Sequence, residues 1–254
     1  MSMVIAFAGK GGTGKTTLAA LTVAYLKRTR GKPVLAVDAD ANSNLDQVLG
    51  VEMPKTIGNI REFLTQNISK LPAGMAKEVW AESLVQQALV EEEGFDLISM
   101  GRPEGPGCYC YLNNIFRRYL DILSGNYDYV VIDNEAGMEH LSRRTTRGVD
   151  IMFIVSDASF RGVRTAGRLV ELARELNLDI KKMALVMTRT NGLPESLEEE
   201  IRASGLELAA RVPEDPLVRK LDIEGTPLTQ LPTESEARHE VERMLDVYLA
   251  DWPG

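Results

Sequence analysis

Cysteine is scarce in this chain, at two residues in 254. That excludes a disulfide-stapled scaffold and suits a reducing compartment, where the sulfurs are free thiols or metal ligands. Positive charge is also in short supply: 29 Lys and Arg face 37 Asp and Glu, a formal net charge of −8. A surface devoted to nucleic acid needs concentrated Lys and Arg, so no nucleic-acid partner is expected. Long apolar runs are missing too. The opening MSMVIAFAGK has no basic segment, and its apolar stretch is too short for a signal peptide or a membrane helix, so a cytoplasmic location is expected. No internal repeat, low-complexity tract or linker-like composition shift interrupts the chain. What is there is ordinary for a globular protein, 44% hydrophobic and 26% charged residues. The length suits a single domain over 1–254.

Gly9-Lys10-Gly11-Gly12-Thr13-Gly14-Lys15-Thr16 fits the pattern G-x-x-x-x-G-K-[ST]. It follows a strand-like run, Met3 to Ala8, and opens a helix-like one. In that context it reads as a phosphate-binding loop and not as a flexible Gly-rich turn. Glycines let successive backbone N–H groups turn inward onto phosphate oxygens, and the following helix adds its N-terminal dipole. Lys15 reaches the outer phosphates, and the Thr16 hydroxyl can ligate Mg²⁺.

Apolar, β-branched runs recur along the chain at Val34 to Val37, Phe95 to Ser99, Tyr129 to Ile132, Ile151 to Val155, Met183 to Met187 and Glu207 to Val212. Helical patterns lie between them at Thr16 to Arg28, Leu112 to Leu123, Arg161 to Leu176 and Glu234 to Ala250. Strands alternating with helices predict an α/β fold, a doubly wound and mostly parallel sheet with helices on both faces. The apolar runs are continuous, as strands covered on both sides should be. Val51 to Glu93 reads as helical but weakly patterned. In such sheets ligands collect beyond the carboxyl ends of the strands, where the phosphate loop already lies.

Two further strand ends carry carboxylates. Tyr129-Val130-Val131-Ile132 runs into Asp133, placed as a Walker B aspartate that would hold a water on Mg²⁺, with an Asp capping the next turn as the alternative. Four residues on, Gly137 can bring its backbone N–H close to a γ-phosphate because it lacks a side chain. Val34 to Val37 ends in Asp38-Ala39-Asp40, which could organise the metal and the attacking water, or could be turn chemistry.

Lys10 is a second lysine in the loop. Lys10-Gly11-Gly12-Thr13-Gly14-Lys15-Thr16-Thr17 resembles the deviant Walker A box of the dimeric ATPases that include the partition ATPases, the MinD-type cell-division ATPases and the nitrogenase iron protein. The resemblance implies a homodimer in which Lys10 crosses to the partner's nucleotide. It makes Lys10, Lys15 and Asp40 catalytic, Asp40 positioning water with Asp38 near the metal, and it adds Thr17 to the nucleotide contacts. A solvated surface lysine is the alternative for Lys10.

Cys108-Tyr109-Cys110 lies within a Gly- and Pro-rich stretch. In an extended segment residues i and i+2 point to one side, so both sulfurs can address one metal. Two ligands are too few for a closed tetrahedral site, but the implied twofold axis would supply four thiolates. Nickel, zinc or an iron–sulfur cluster suits thiolates, and two incidental cysteines remain the alternative. With Asp38-Ala39-Asp40, Asp133-Asn134-Glu135-Ala136-Gly137-Met138-Glu139-His140-Leu141 and the following Arg143 or Arg144 and Thr145, the chain resembles the CooC-type ATPases over residues 3 to 220. Those are nickel-insertion factors of carbon monoxide dehydrogenase, with relatives serving acetyl-CoA synthase. The resemblance implies an ATPase metallochaperone carrying Ni²⁺ or Zn²⁺, with an apo-nickel enzyme as client. Nitrogenase-type iron proteins carry a cluster cysteine just after the Walker B region, where this chain has Gly137-Met138.

The chain departs from the family near the base. CooC-type and MinD-type proteins usually place an Asn at the end of the strand before the base pocket, whereas Met187-Thr188-Arg189-Thr190-Asn191 stands here. Thr188 and Arg189 are therefore the candidate nucleotide contacts. The stretch faintly echoes the guanine-reading [NT]-K-x-D pattern without its final carboxylate, so adenine is favoured. By family analogy the backbone around Pro213-Glu214-Asp215 completes the pocket, or it is an ordinary Pro-containing loop. His140 reads as a packing or hydrogen-bonding residue, with sensing of metal or nucleotide as the alternative, and Met100 and Met138 read as filler. Two other functions stay open, a MinD-like positioning ATPase and a redox ATPase with a [4Fe–4S] cluster. The acidic last helix argues against a membrane-binding tail.

Overall fold

The computed structural model describes residues 2–40, 42, 44–67, 71, 74–102, 123–135, 148–250 and 252. Eight strands form one sheet in the order β3-β4-β2-β5-β1-β6-β7-β8. They are β1 (Met3–Gly9), β2 (Val34–Ala39), β3 (Val90–Glu92), β4 (Phe95–Ser99), β5 (Tyr129–Asn134), β6 (Val149–Asp157), β7 (Ile180–Thr188) and β8 (Glu207–Val212). Every pairing is parallel except β3 with β4. The expected α/β architecture is the one found.

The helices are α1 (Lys15–Arg30), α2 (Leu45–Leu49), α3 (Ile57–Gln66), α4 (Lys77–Gln86), α5 (Phe160–Glu175), α6 (Glu195–Ser204), α7 (Pro216–Glu224) and α8 (Glu236–Tyr248). In β1 the side chains of Val4, Ala6 and Ala8 enter a core shared with α3, α4, α5 and α6. Met3, Ile5 and Phe7 enter a second core shared with α1, α2 and α8. Strand side chains alternate between faces, and both faces here are apolar, which is why the runs read as continuous. Among the described residues, no helix is long and apolar enough to cross a membrane.

α1 starts without a side-chain cap at Gly14, whose φ of 92° is left-handed, and ends at Gly31 with Lys27, Arg28 and Arg30 in its last turn. Those cations complement the carbonyl end of the helix dipole. α1 then packs between the sheet and α8, where Arg28 forms a 2.5 Å ion pair with Glu242.

Three helices and one strand are not evident from the apolar pattern. α2 spans five residues, and β3 is a three-residue edge containing Glu91 and Glu92. α7 buries no residue fully, so periodicity is faint there, and its start is signalled instead by the Asp215-Pro216 pair. α6 lies between Pro194 and Gly205 and buries only Leu197 and Ile201. The weakly patterned stretch Val51 to Glu93 resolves into α3, α4 and β3. The expected helix Leu112 to Leu123 lies, but for its last residue, outside the described residues.

Phe153 sits at the centre of the second core, fully buried. It stacks on Phe7 at 5.5 Å and meets the edge of Tyr248 at 5.2 Å. Phe153→Ala should lower the unfolding free energy by about 3–5 kcal/mol in urea titrations. Ile223→Ala, at a residue that is 76% exposed, should change it by less than about 0.5 kcal/mol.

Candidate functional site

β1 lies centrally, with β5 and β6 on either side and β2 beyond β5. Its last residue, Gly9, pairs with Val155 of β6. A Cβ at Gly9 would stand 2.2 Å from the Val155 carbonyl oxygen, so only glycine lets the chain leave the sheet this close to its neighbour. The loop then turns through Gly12 at φ 75° and Gly14 at φ 92° into the first turn of α1. Thr13 Oγ1 donates to the Lys10 carbonyl at 2.8 Å. Lys15 Nζ donates to the same carbonyl at 3.3 Å, which lays its buried side chain back across the loop. Lys10 itself is exposed.

Asp38 and Asp133 stand opposite one another on adjacent parallel strands, both essentially inaccessible to solvent. Burial pushes the Asp38 carboxyl up to about 6, opposed by the N–H groups of Leu45 and Asp40 that it accepts at 3.0 Å each. Burial likewise pushes Asp133 up to about 7, with the Thr16 hydroxyl and Lys15 lowering it and the charge of Asp38 adding to the rise. Asp133 Oδ1 is buried without a hydrogen-bond partner. One residue on, Asn134 Nδ2 donates to the Phe7 carbonyl at 2.9 Å and ties β5 to β1. No apolar pattern could flag this residue, because its task is one cross-strand bond.

In front of these groups lies a cleft of about 1210 Å³. It is lined by Gly11 to Leu18, Asp40, Thr188, Arg189, Pro213 and Glu214, all but Leu18 residues singled out by sequence. Asn44 at the start of α2, Gln47 within it and Val218, Arg219 and Leu221 of α7 line it as well. They escape sequence reasoning because both elements are poorly patterned. Behind Pro213 and Glu214, Asp215 caps two helices. Its Oδ1 accepts the Leu217 N–H at 2.8 Å, and its Oδ2 accepts the Ser235 hydroxyl at 2.6 Å and the Ala237 N–H at 3.0 Å. Burial raises its pKa, but these bonds outweigh it and hold the carboxyl below the usual range.

Gly137, His140, Cys108 and Cys110 lie outside the described residues. Among the described residues, no group of three or more His, Cys, Asp or Glu is arranged to hold a metal ion.

The sequence pattern of the CobQ/CobB/MinD/ParA nucleotide binding domain matches residues 4–228. The chain belongs to that family. An uncharacterized ATP-binding protein of Methanocaldococcus jannaschii is 42% identical to this family member over 96% of the chain and 97% of its own length. The carbon monoxide dehydrogenase accessory protein CooC of Rhodospirillum rubrum is 30% identical over 69% of the chain and 71% of its own length. The septum site-determining protein MinD of Bacillus subtilis is 26% identical over 90% and 82%. Among solved structures, MinD of Pyrococcus horikoshii in complex with Mg-ADP superposes with a TM-score of 0.72 at 20% identity, over 99% of this chain and 97% of that one. The family match covers residues 4–228 and includes the loop from Gly9 to Thr16.

The buried carboxylates give a pH signature in the absence of nucleotide and Mg²⁺. Asp133 titrates at 3.8 when unperturbed and at about 7 when folded, so the folded protein keeps this proton to higher pH than the unfolded chain does. Stability is therefore greatest below about pH 4 with respect to this group and is lost as pH rises to about 7. Asp133→Asn should raise the apo stability by about 2–4 kcal/mol at pH 8 and by almost nothing at pH 4. Urea unfolding at both pH values measures the difference.

Proposed function

We propose that this protein is an ATP-hydrolysing switch that delivers nickel to an apo-enzyme of the carbon monoxide dehydrogenase or acetyl-CoA synthase kind. The observation that carries the reading is the joint presence of Lys10 and the Cys108-Tyr109-Cys110 pair in a chain 30% identical to CooC. Nucleotide-driven closure of two subunits would bring four thiolates around one metal ion, and hydrolysis would reopen them. The motive force is the difference in dimer stability between nucleotide states.

Mg²⁺ suits the site, because the unpartnered Asp133 Oδ1, the buried Asp38 beside it and the Thr16 hydroxyl supply hard oxygen donors. When bound, it would neutralise charge on the β- and γ-phosphates. The chain's own residues do the rest. The loop's N–H groups and Lys15 hold the phosphates, and Asp40 orients a water against the γ-phosphorus. The water oxygen bonds to phosphorus as the bond to the β,γ-bridging oxygen breaks, with one water proton kept on the phosphate and the other released to solvent, giving ADP and phosphate. Lys10 of the partner subunit stabilises the charge on that bridging oxygen. Adenine would lie against Pro213 and Glu214.

A MinD-like positioning role is the second reading, favoured by the similarity to Bacillus subtilis MinD over most of both chains. Against it, α8 carries Glu236, Glu240, Glu242 and Asp246, which disfavour anionic lipid. Lys10→Ala should lower ATP turnover by about 100-fold or more while ADP still binds. Metal per dimer should rise with ATP in the unsubstituted protein and stay low in Cys108→Ser/Cys110→Ser. Equal metal content in both would contradict the shared thiolate site, and strong ATP-dependent co-sedimentation with vesicles or DNA would favour the positioning role.

A further inference from the structure

The end of β7 makes two contacts with the phosphate loop. Thr188, buried at 5% exposure, donates its hydroxyl to the Thr13 carbonyl at 2.8 Å, with the Ser156 carbonyl at 3.2 Å as a second acceptor. Arg189 donates Nη2 to the Gly12 carbonyl at 2.6 Å. Its backbone is left-handed, φ 53°, one of two such non-glycine residues among those described. A long side chain in that conformation is held at a cost of order 1 kcal/mol or more, and such residues persist where the surroundings demand them. In this conformation the guanidinium reaches the Gly12 carbonyl of the phosphate loop.

The two bonds fix consecutive peptide planes. A trans peptide points its carbonyl and its N–H in opposite directions. Tying the Gly12 carbonyl to Arg189 therefore turns the Thr13 N–H away from β7, and tying the Thr13 carbonyl to Thr188 does the same for the Gly14 N–H. Both residues line the cleft, and a phosphate cradle consists of N–H groups so aimed. The third carbonyl of the loop, on Lys10, is already occupied by Thr13 Oγ1. The glycines give the loop freedom to adopt this shape, and they equally leave it free to lose it.

We propose that Thr188 and Arg189 are positioning residues for the phosphate cradle and do not read the nucleobase. The one hydroxyl proton of Thr188 is committed to backbone carbonyls, and the guanidinium of Arg189 is anchored on the Gly12 carbonyl. Base selection then falls to the backbone and side chains around Pro213 and Glu214. This rests on the reading of the cleft as a nucleotide site.

Tripolyphosphate, which has no base, separates the two roles. Its affinity in the presence of Mg²⁺ is measured by calorimetric titration alongside that of ADP, for the full chain and for Arg189→Gly, Thr188→Val and Thr188→Ser. Arg189→Gly relaxes the left-handed backbone while removing the guanidinium, so the fold is kept and a purely structural role predicts unchanged binding. The expected result is a loss of about tenfold for both ligands in Arg189→Gly and in Thr188→Val, with Thr188→Ser restoring binding. A loss confined to ADP, or no loss for either ligand in Arg189→Gly, would overturn the proposal. Failure of the unsubstituted protein to bind either ligand would instead overturn the nucleotide reading on which it rests.

Discussion

Two carboxylates buried side by side are the constraint around which this molecule is arranged. Asp38 and Asp133 occupy equivalent positions on neighbouring parallel strands, and both are pushed toward neutrality by burial. Burying charge without a countercharge is unfavourable. Lys15 crosses the loop nearby but donates to the Lys10 carbonyl, and one carboxylate oxygen has no partner. The apo site is thus under electrostatic tension, which a bound cation with its phosphates would relieve.

The sheet order makes this tension possible. Because β1 lies between β5 and β6 and β2 lies beyond β5, the phosphate loop, Asp133 and Asp38 all leave the sheet at one edge. Parallel strands of this kind need helices on both faces, and the two cores supply them. β1, paired with β5 and β6 on its two sides, is the base from which the Gly-rich loop leaves the sheet. Gly9 meets the Val155 carbonyl too closely for any other residue, and Asn134 stitches β5 to β1.

Much of this could be read from the chain. Continuous runs such as Tyr129 to Ile132 and Ile151 to Val155 fall within β5 and β6, because strands covered on both faces have no polar side to obscure them. The loop Gly9 to Thr16 was legible because backbone geometry, not packing, dictates its residues. α7 was not, since it buries nothing fully and touches the cleft through Val218, Arg219 and Leu221. The behaviour of Thr188 and Arg189 was also hidden. Position along the chain marks them as cleft residues, but only the folded arrangement reveals that their donors meet loop carbonyls. Asp215 reads in sequence as part of the pocket backbone or of a Pro-containing loop, whereas in the fold its carboxylate caps α7 and also accepts an N–H from the first turn of α8.

The central claim is that the buried carboxylate pair makes nucleotide binding depend on a divalent cation. It is tested most directly by calorimetric titration of a non-hydrolysable ATP analogue into the protein at pH 8, once with Mg²⁺ and once with EDTA. The account predicts at least about tenfold weaker binding in EDTA, because polyphosphate then approaches two buried carboxylates with no divalent cation between. Equal affinity under both conditions would contradict it.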